Sequence, residues 1–118
     1  MARLQVRREQ AVARFRFLPP APHAPESTRR AIAERSVREE PGGRFGFKFD
    51  PRWFGVAARK LPPLSGVSCP TLVVRGEQSA LLTAEGARAW ASEIRGAELR
   101  VVPGAGHHVH IYQPGAVL

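Results

Sequence analysis

Apolar and polar positions are patterned most clearly in the second half of the chain. Thr71-Leu72-Val73-Val74-Arg75 is a short β-branched run, entered through Cys69-Pro70 and stopped by Gly76, as in a strand buried within a parallel sheet. Thr83 then stands where a helix N-cap is expected, and Glu85 lies in the first turn, where the helix dipole favours an anion. Ala87, Trp90, Ala91 and Ile94 follow at i, i+3, i+4 and i+7, the stripe of a helix with one buried face. Gly96 ends that helix, and Glu98-Leu99-Arg100-Val101-Val102 predicts a second strand leading into the loop Pro103-Gly104-Ala105-Gly106. Strand, helix, strand in this order predicts a right-handed βαβ unit, with parallel strands and the helix across one face.

The first half is less regular. Residues 2–14 lack Gly and Pro and predict a helix with a thin apolar stripe of Leu4, Ala11 and Phe15. From Phe17 to Pro25, four prolines fix φ and remove backbone donors, so this stretch is an extended connector. A second helix is expected from Ser27 or Thr28 to about Glu39, supported by Glu26/Arg30 and Glu34/Arg38 at i,i+4 and ended by Pro41-Gly42-Gly43. Phe45, Phe47 and Phe49 alternate at period two, predicting a short extended piece followed by a turn of helix near Trp53 and Phe54. Leu61-Pro62-Pro63-Leu64-Ser65-Gly66 reads as a linker, which divides the chain into a basic helical segment, 1–60, and an α/β segment, 61–118.

Composition changes this picture in three ways. At 118 residues the chain suffices for one small domain but is short for a complete doubly wound enzyme. The net charge of +8 lies in residues 1–60, with 14 basic and 6 acidic side chains, against 4 and 4 in residues 61–118. Such basicity raises the question of a nucleic-acid partner, but the aromatic residues do not interleave with the basic ones in a base-stacking pattern, and that reading is set aside. Finally, no apolar run reaches the roughly 20 residues of a membrane span. The N-terminus lacks a secretory apolar core, and the single Cys69 excludes an intrachain disulfide, so a cytoplasmic setting is expected.

In parallel α/β sheets the reactive groups gather beyond the carboxyl ends of the strands. Two segments qualify, Gly76-Glu77-Gln78-Ser79-Ala80-Leu81-Leu82 and Gly104-Ala105-Gly106-His107-His108-Val109-His110. Adjacent strands lie about 5 Å apart, so a group on one loop reaches an imidazole on the other. Cys69-Pro70-Thr71-Leu72-Val73-Val74-Arg75-Gly76-Glu77 together with Gly106-His107-His108-Val109-His110-Ile111-Tyr112-Gln113-Pro114 resembles the last third of α/β-hydrolase-fold enzymes. The resemblance covers residues 66–118 closely, 44–65 loosely, where Phe47-Lys48-Phe49-Asp50-Pro51 is similar to a lid-to-core join, and 1–43 weakly.

That resemblance implies the C-terminal part of a doubly wound parallel sheet with an N-terminal lid-like helical segment. It implies His107 as the general base, with His110 and Pro114 at structural positions, and a parent activity on small ester-, amide- or related carbonyl substrates without cofactor or metal. Two positions depart from the family pattern. Ser79 stands where the acid is expected, leaving Glu77 as a possible substitute, and a hydroxyl cannot stabilise an imidazolium as a carboxylate does. No nucleophile elbow of the G-x-S-x-G kind occurs; Gly66-Val67-Ser68-Cys69-Pro70 precedes a strand instead of following one. The expectation is a fragment, inactive alone because nucleophile and oxyanion hole are both missing. The alternative is a noncatalytic interaction or oligomerisation module that self-associates through exposed strand edges.

Other side chains have plainer readings. His107, His108 and His110 are too closely spaced for one metal and lack a nearby carboxylate or thiol. Trp53 and Trp90 are expected to pack, Cys69 to be a small buried group, and Phe45, Phe47, Phe49 and Phe54 to be core or to line an acyl pocket.

Overall fold

Local signals that act through few residues shape the second half of the chain. A computed structural model describes residues 4–53, 55 and 62–118. Residues 2–3, Phe54, and Leu61 of the linker lie outside the described residues, and the helix expected over 2–14 begins only at Arg8, because Gln5 is drawn into a bridge with Phe45. Two compact units emerge, residues 1–18 with 25–60 and residues 19–24 with 61–118.

In the first unit, α1 (Arg8–Arg14) and α2 (Glu26–Arg35) accompany a hairpin of β1 (Val37–Glu40) and β2 (Arg44–Phe47). The strands pair antiparallel from Val37↔Phe47 to Glu40↔Arg44, and Gly42 and Gly43 take φ of 90° and 71° in the turn, a region glycine occupies without strain. Gln5 adds a bridge to Phe45, with both backbone bonds at 2.7 Å. Phe15 packs edge-on against Phe17 and Phe47, and Ala11, Ala33 and Val37 are buried.

Here the structure corrects the expected second helix, which stops at Arg35 instead of reaching Glu39. Ser36 closes it, its N–H donating to the carbonyls of Ile32 and Ala33 and its hydroxyl to Ile32 O at 2.7 Å. Val37–Glu40 then gains a full ladder against the Phe-rich strand, which outweighs the helix propensity of Arg38, Glu39 and Glu40. Charge pairing changes accordingly: Arg30 reaches Glu34 at 3.0 Å along the helix, while Arg38 pairs with Glu40, two residues on along a strand, at 2.6 Å.

The second unit holds β3 (Leu72–Gly76), α3 (Ala84–Glu93), β4 (Glu98–Val102) and a short α4 (Val109–Tyr112). The strands are parallel, in register from Leu72↔Glu98 to Gly76↔Val102, and α3 packs against both. Thr83 caps α3 by accepting the Gly86 N–H at 3.0 Å, an interaction worth about 1 kcal/mol. Gly96, at φ 72°, makes the left-handed turn into β4. Val102, Ala105 and Val109 form a buried cluster with Val74, Tyr112 and Ala116 against it, so α4 and the end of the chain close one side of the sheet.

Side-chain environments differ from expectation at several places. Ala87 on α3 and Ile94 at its C-cap are buried but Trp90 is 48% exposed, so it lies at the border of the packed stripe. Trp53 and Phe49 are also exposed, and Cys69 is exposed because it precedes β3 in an open approach instead of lying within the strand. Along the sheet, Leu72 and Val101 remain 47% and 43% exposed.

Candidate active site

Both loops that leave the carboxyl ends of β3 and β4 are stitched together beyond the sheet. Glu77 N donates to Val102 O at 3.0 Å, and Gln78 N donates to Ala105 O at 2.9 Å, which prolongs the ladder past the last paired residues. Gly76 is the residue that lets them meet. A Cβ there would stand 2.6 Å from Ala105 O and closer still to Gly106 O, so only glycine permits this approach. At Gly106 a Cβ would lie 2.8 Å from the Tyr112 ring, which would have to shift to admit it.

Ser79 and His107 are brought together by this arrangement. Ser79 Oγ lies 2.9 Å from His107 Nδ1, and Leu82 N–H donates to the same oxygen at 3.1 Å. Ser79 N–H donates to Gly76 O at 3.0 Å, a turn that directs the hydroxyl back toward the second loop. Leu82 is fixed from its other side as well, because Arg75 Nε donates to Leu82 O at 2.6 Å. Arg75 is buried, and its guanidinium ties the last turn of the 76–82 loop to β3. In the sequence Arg75 is only the charge that closes an apolar run and Gly76 marks only the end of a strand. A lone charge at the end of an apolar strand run was the available signal for the first, and a loop glycine beside the Ser79 segment for the second.

The other candidates are placed elsewhere. Glu77 accepts the Gly104 N–H at 3.4 Å, bracing the second loop, while the position against His107 Nδ1 is taken by Ser79. His108 stands 5.5 Å from His107, ring to ring, and its Nε2 lies 2.9 Å from Pro19 O. His110 is exposed on α4, 6.3 Å from the His108 ring. Among the described residues, no three His, Cys, Asp or Glu side chains converge to hold a metal ion. Nor is any helix among them long and apolar enough to cross a membrane.

Burial holds the pKa of His107 below the ordinary imidazole value of 6.5, and the neighbouring His108 pushes it the same way. The sign of the consequence follows from linkage. In the unfolded chain His107 takes up its proton near pH 6.5, whereas the folded state does so only at lower pH. Over that window the unfolded state binds more protons, so stability falls as pH falls. Urea midpoints measured from neutral to mildly acidic pH should drop through this range, and His107→Gln should flatten that part of the curve.

With parallel strands, a packed helix and a histidine on the loop beyond the second strand, the second unit has the fold of the C-terminal part of an α/β-hydrolase. The structure superposes on E-2-(acetamidomethylene)succinate hydrolase with a TM-score of 0.73 and 24% identity, over 98% of this chain and 44% of that one. An esterase from Mycobacterium tuberculosis gives 0.71 at 20% identity, over 98% and 41% of the two chains. For the thioesterase domain from the curacin biosynthetic pathway the values are 0.63 and 21%, over 99% and 42%. The chain therefore spans less than half the length of these neighbours. No family model matches the sequence, and no curated relative does.

Proposed function

We propose that this chain carries the base side of a hydrolase site acting on an ester, amide or related activated carbonyl. His107 stands at the general-base position, Ser79 occupies the place of its acid partner, and residues 1–60 form a lid-like segment. What supports the reading is the Ser79 Oγ to His107 Nδ1 contact of 2.9 Å, made between the two loops where this fold places its acid and base. In a complete parent enzyme the histidine at this position would take a proton from a nucleophile and return it to the leaving group. The sequence offers no G-x-S-x-G elbow, so in this proposal the chain is a fragment without activity of its own, in a cytoplasmic setting. Reading the coding sequence upstream tests it. An open frame encoding a strand followed by G-x-S-x-G is expected, and an in-frame stop directly upstream of Met1 would contradict it.

A second reading is favoured by the exposure of Leu72 and Val101 on a two-stranded parallel sheet, since such sheets are normally covered on both faces. Here the chain is an interaction module that pairs through its strand edges. Light scattering after size exclusion separates the two, a stable monomer counting against self-association.

A further inference from the structure

We infer that Ser79 holds neutral His107 in the tautomer that carries its proton on Nε2, so that the nitrogen left unengaged by Ser79 is a donor and not a base. The argument rests on one oxygen. Ser79 Oγ has two hydrogen-bonding neighbours among the described residues, Leu82 N at 3.1 Å and His107 Nδ1 at 2.9 Å. An amide N–H can only donate, so Leu82 occupies a lone pair of the hydroxyl. The hydroxyl's own hydrogen then needs an acceptor, and Ser79 is only 8% exposed. Nδ1 is the acceptor at hand. Were Nδ1 protonated instead, Oγ would accept twice and its own hydrogen would be left without a partner in a buried site.

Leu82 cannot readily turn away to relieve this, because Arg75 Nε holds its carbonyl at 2.6 Å. A carboxylate at position 79 would behave in the opposite way. Having no hydrogen of its own, it would accept from both Leu82 N–H and Nδ1–H, freeing the Nε2 lone pair for proton abstraction. The identity of residue 79 therefore decides which ring nitrogen is basic, and serine is a positioning residue that keeps the base in its silent form. The consequence for catalysis rests on the hydrolase reading; the tautomer does not.

Charged and titratable neighbours do not alter the assignment. His108 packs edge-on beside His107, the Glu77 carboxylate is on Gly104 N–H, and the Arg75 guanidinium is on Leu82 O.

Long-range proton–nitrogen correlation spectra of the labelled chain, recorded where the ring is neutral, read the tautomer directly. In the wild type, His107 should show a protonated Nε2 and an unprotonated Nδ1, in at least about tenfold excess over the alternative. Ser79→Thr should preserve that pattern. Ser79→Asp should reverse it and raise the His107 pKa, because a carboxylate favours the imidazolium. A protonated Nδ1 in the wild type overturns the inference, and so does an unchanged pattern in a folded Ser79→Asp. If the aspartate variant does not fold, the wild-type spectrum still decides. None of these outcomes depends on hydrolysis, so a failed inference and a failed functional reading remain distinguishable.

Discussion

Replacing Gly76 with valine should lower stability by about 3 kcal/mol and abolish the Ser79–His107 contact in the same step. Gly76 closes β3, and the space where its side chain would stand is filled by the carbonyl oxygens of Ala105 and Gly106. These are backbone atoms on the loop that carries His107, so they cannot swing aside as the end of a flexible side chain would. Relief requires separating the two loops, which would break Gln78 N to Ala105 O and draw His107 away from Ser79. Thermal melts followed by circular dichroism read the first effect, and the His107 ring nitrogen shifts read the second. Gly115, which has nothing within 4 Å of its Cβ position, supplies the control: Gly115→Ala should leave both nearly unchanged.

Arg75→Met should cost about 1.5–3 kcal/mol, the range for a hydrogen bond to a charged group. Methionine keeps much of the length and apolar volume of the arginine stem but cannot donate to Leu82 O, which Arg75 Nε meets at 2.6 Å. The loss extends beyond that bond, since Leu82 N–H anchors the Ser79 hydroxyl. Faster amide exchange at Leu82 and a shifted His107 tautomer ratio should therefore accompany the fall in the urea midpoint. Arg100→Met on exposed β4 surface should stay within about 0.5 kcal/mol of wild type. A stability loss confined to Arg75→Met, without change at Leu82 or His107, would reduce Arg75 to a packing residue.

Legibility in the sequence followed how local each instruction was. The apolar runs of β3 and β4, the Thr83 cap and Gly96 act within a few residues, and each stands where its signal predicts. At Val37–Glu40 the Arg and Glu residues and an i,i+4 pairing favour helix locally, whereas the strand depends on partners from ten residues away, Val37 with Phe47, to four, Glu40 with Arg44. Exposure was the least readable property. Cys69 and Trp90 have the residue types of a core, yet what covers a side chain is decided by distant elements. At the site, the facing of Ser79 and His107 was foreseeable from parallel strands of known spacing. The clamp made by Arg75 and the close approach at Gly76 were not, because both depend on where one loop's backbone meets another's.

The proposed reading, that His107 stands in a base position which this chain alone cannot use, is tested most directly by steady-state hydrolysis of a p-nitrophenyl ester. Purified wild type and His107→Ala should release the chromophore at the same background rate, since the proposal assigns neither a nucleophile nor an oxyanion hole to this chain. Steady turnover by the wild type that disappears in His107→Ala would contradict the account.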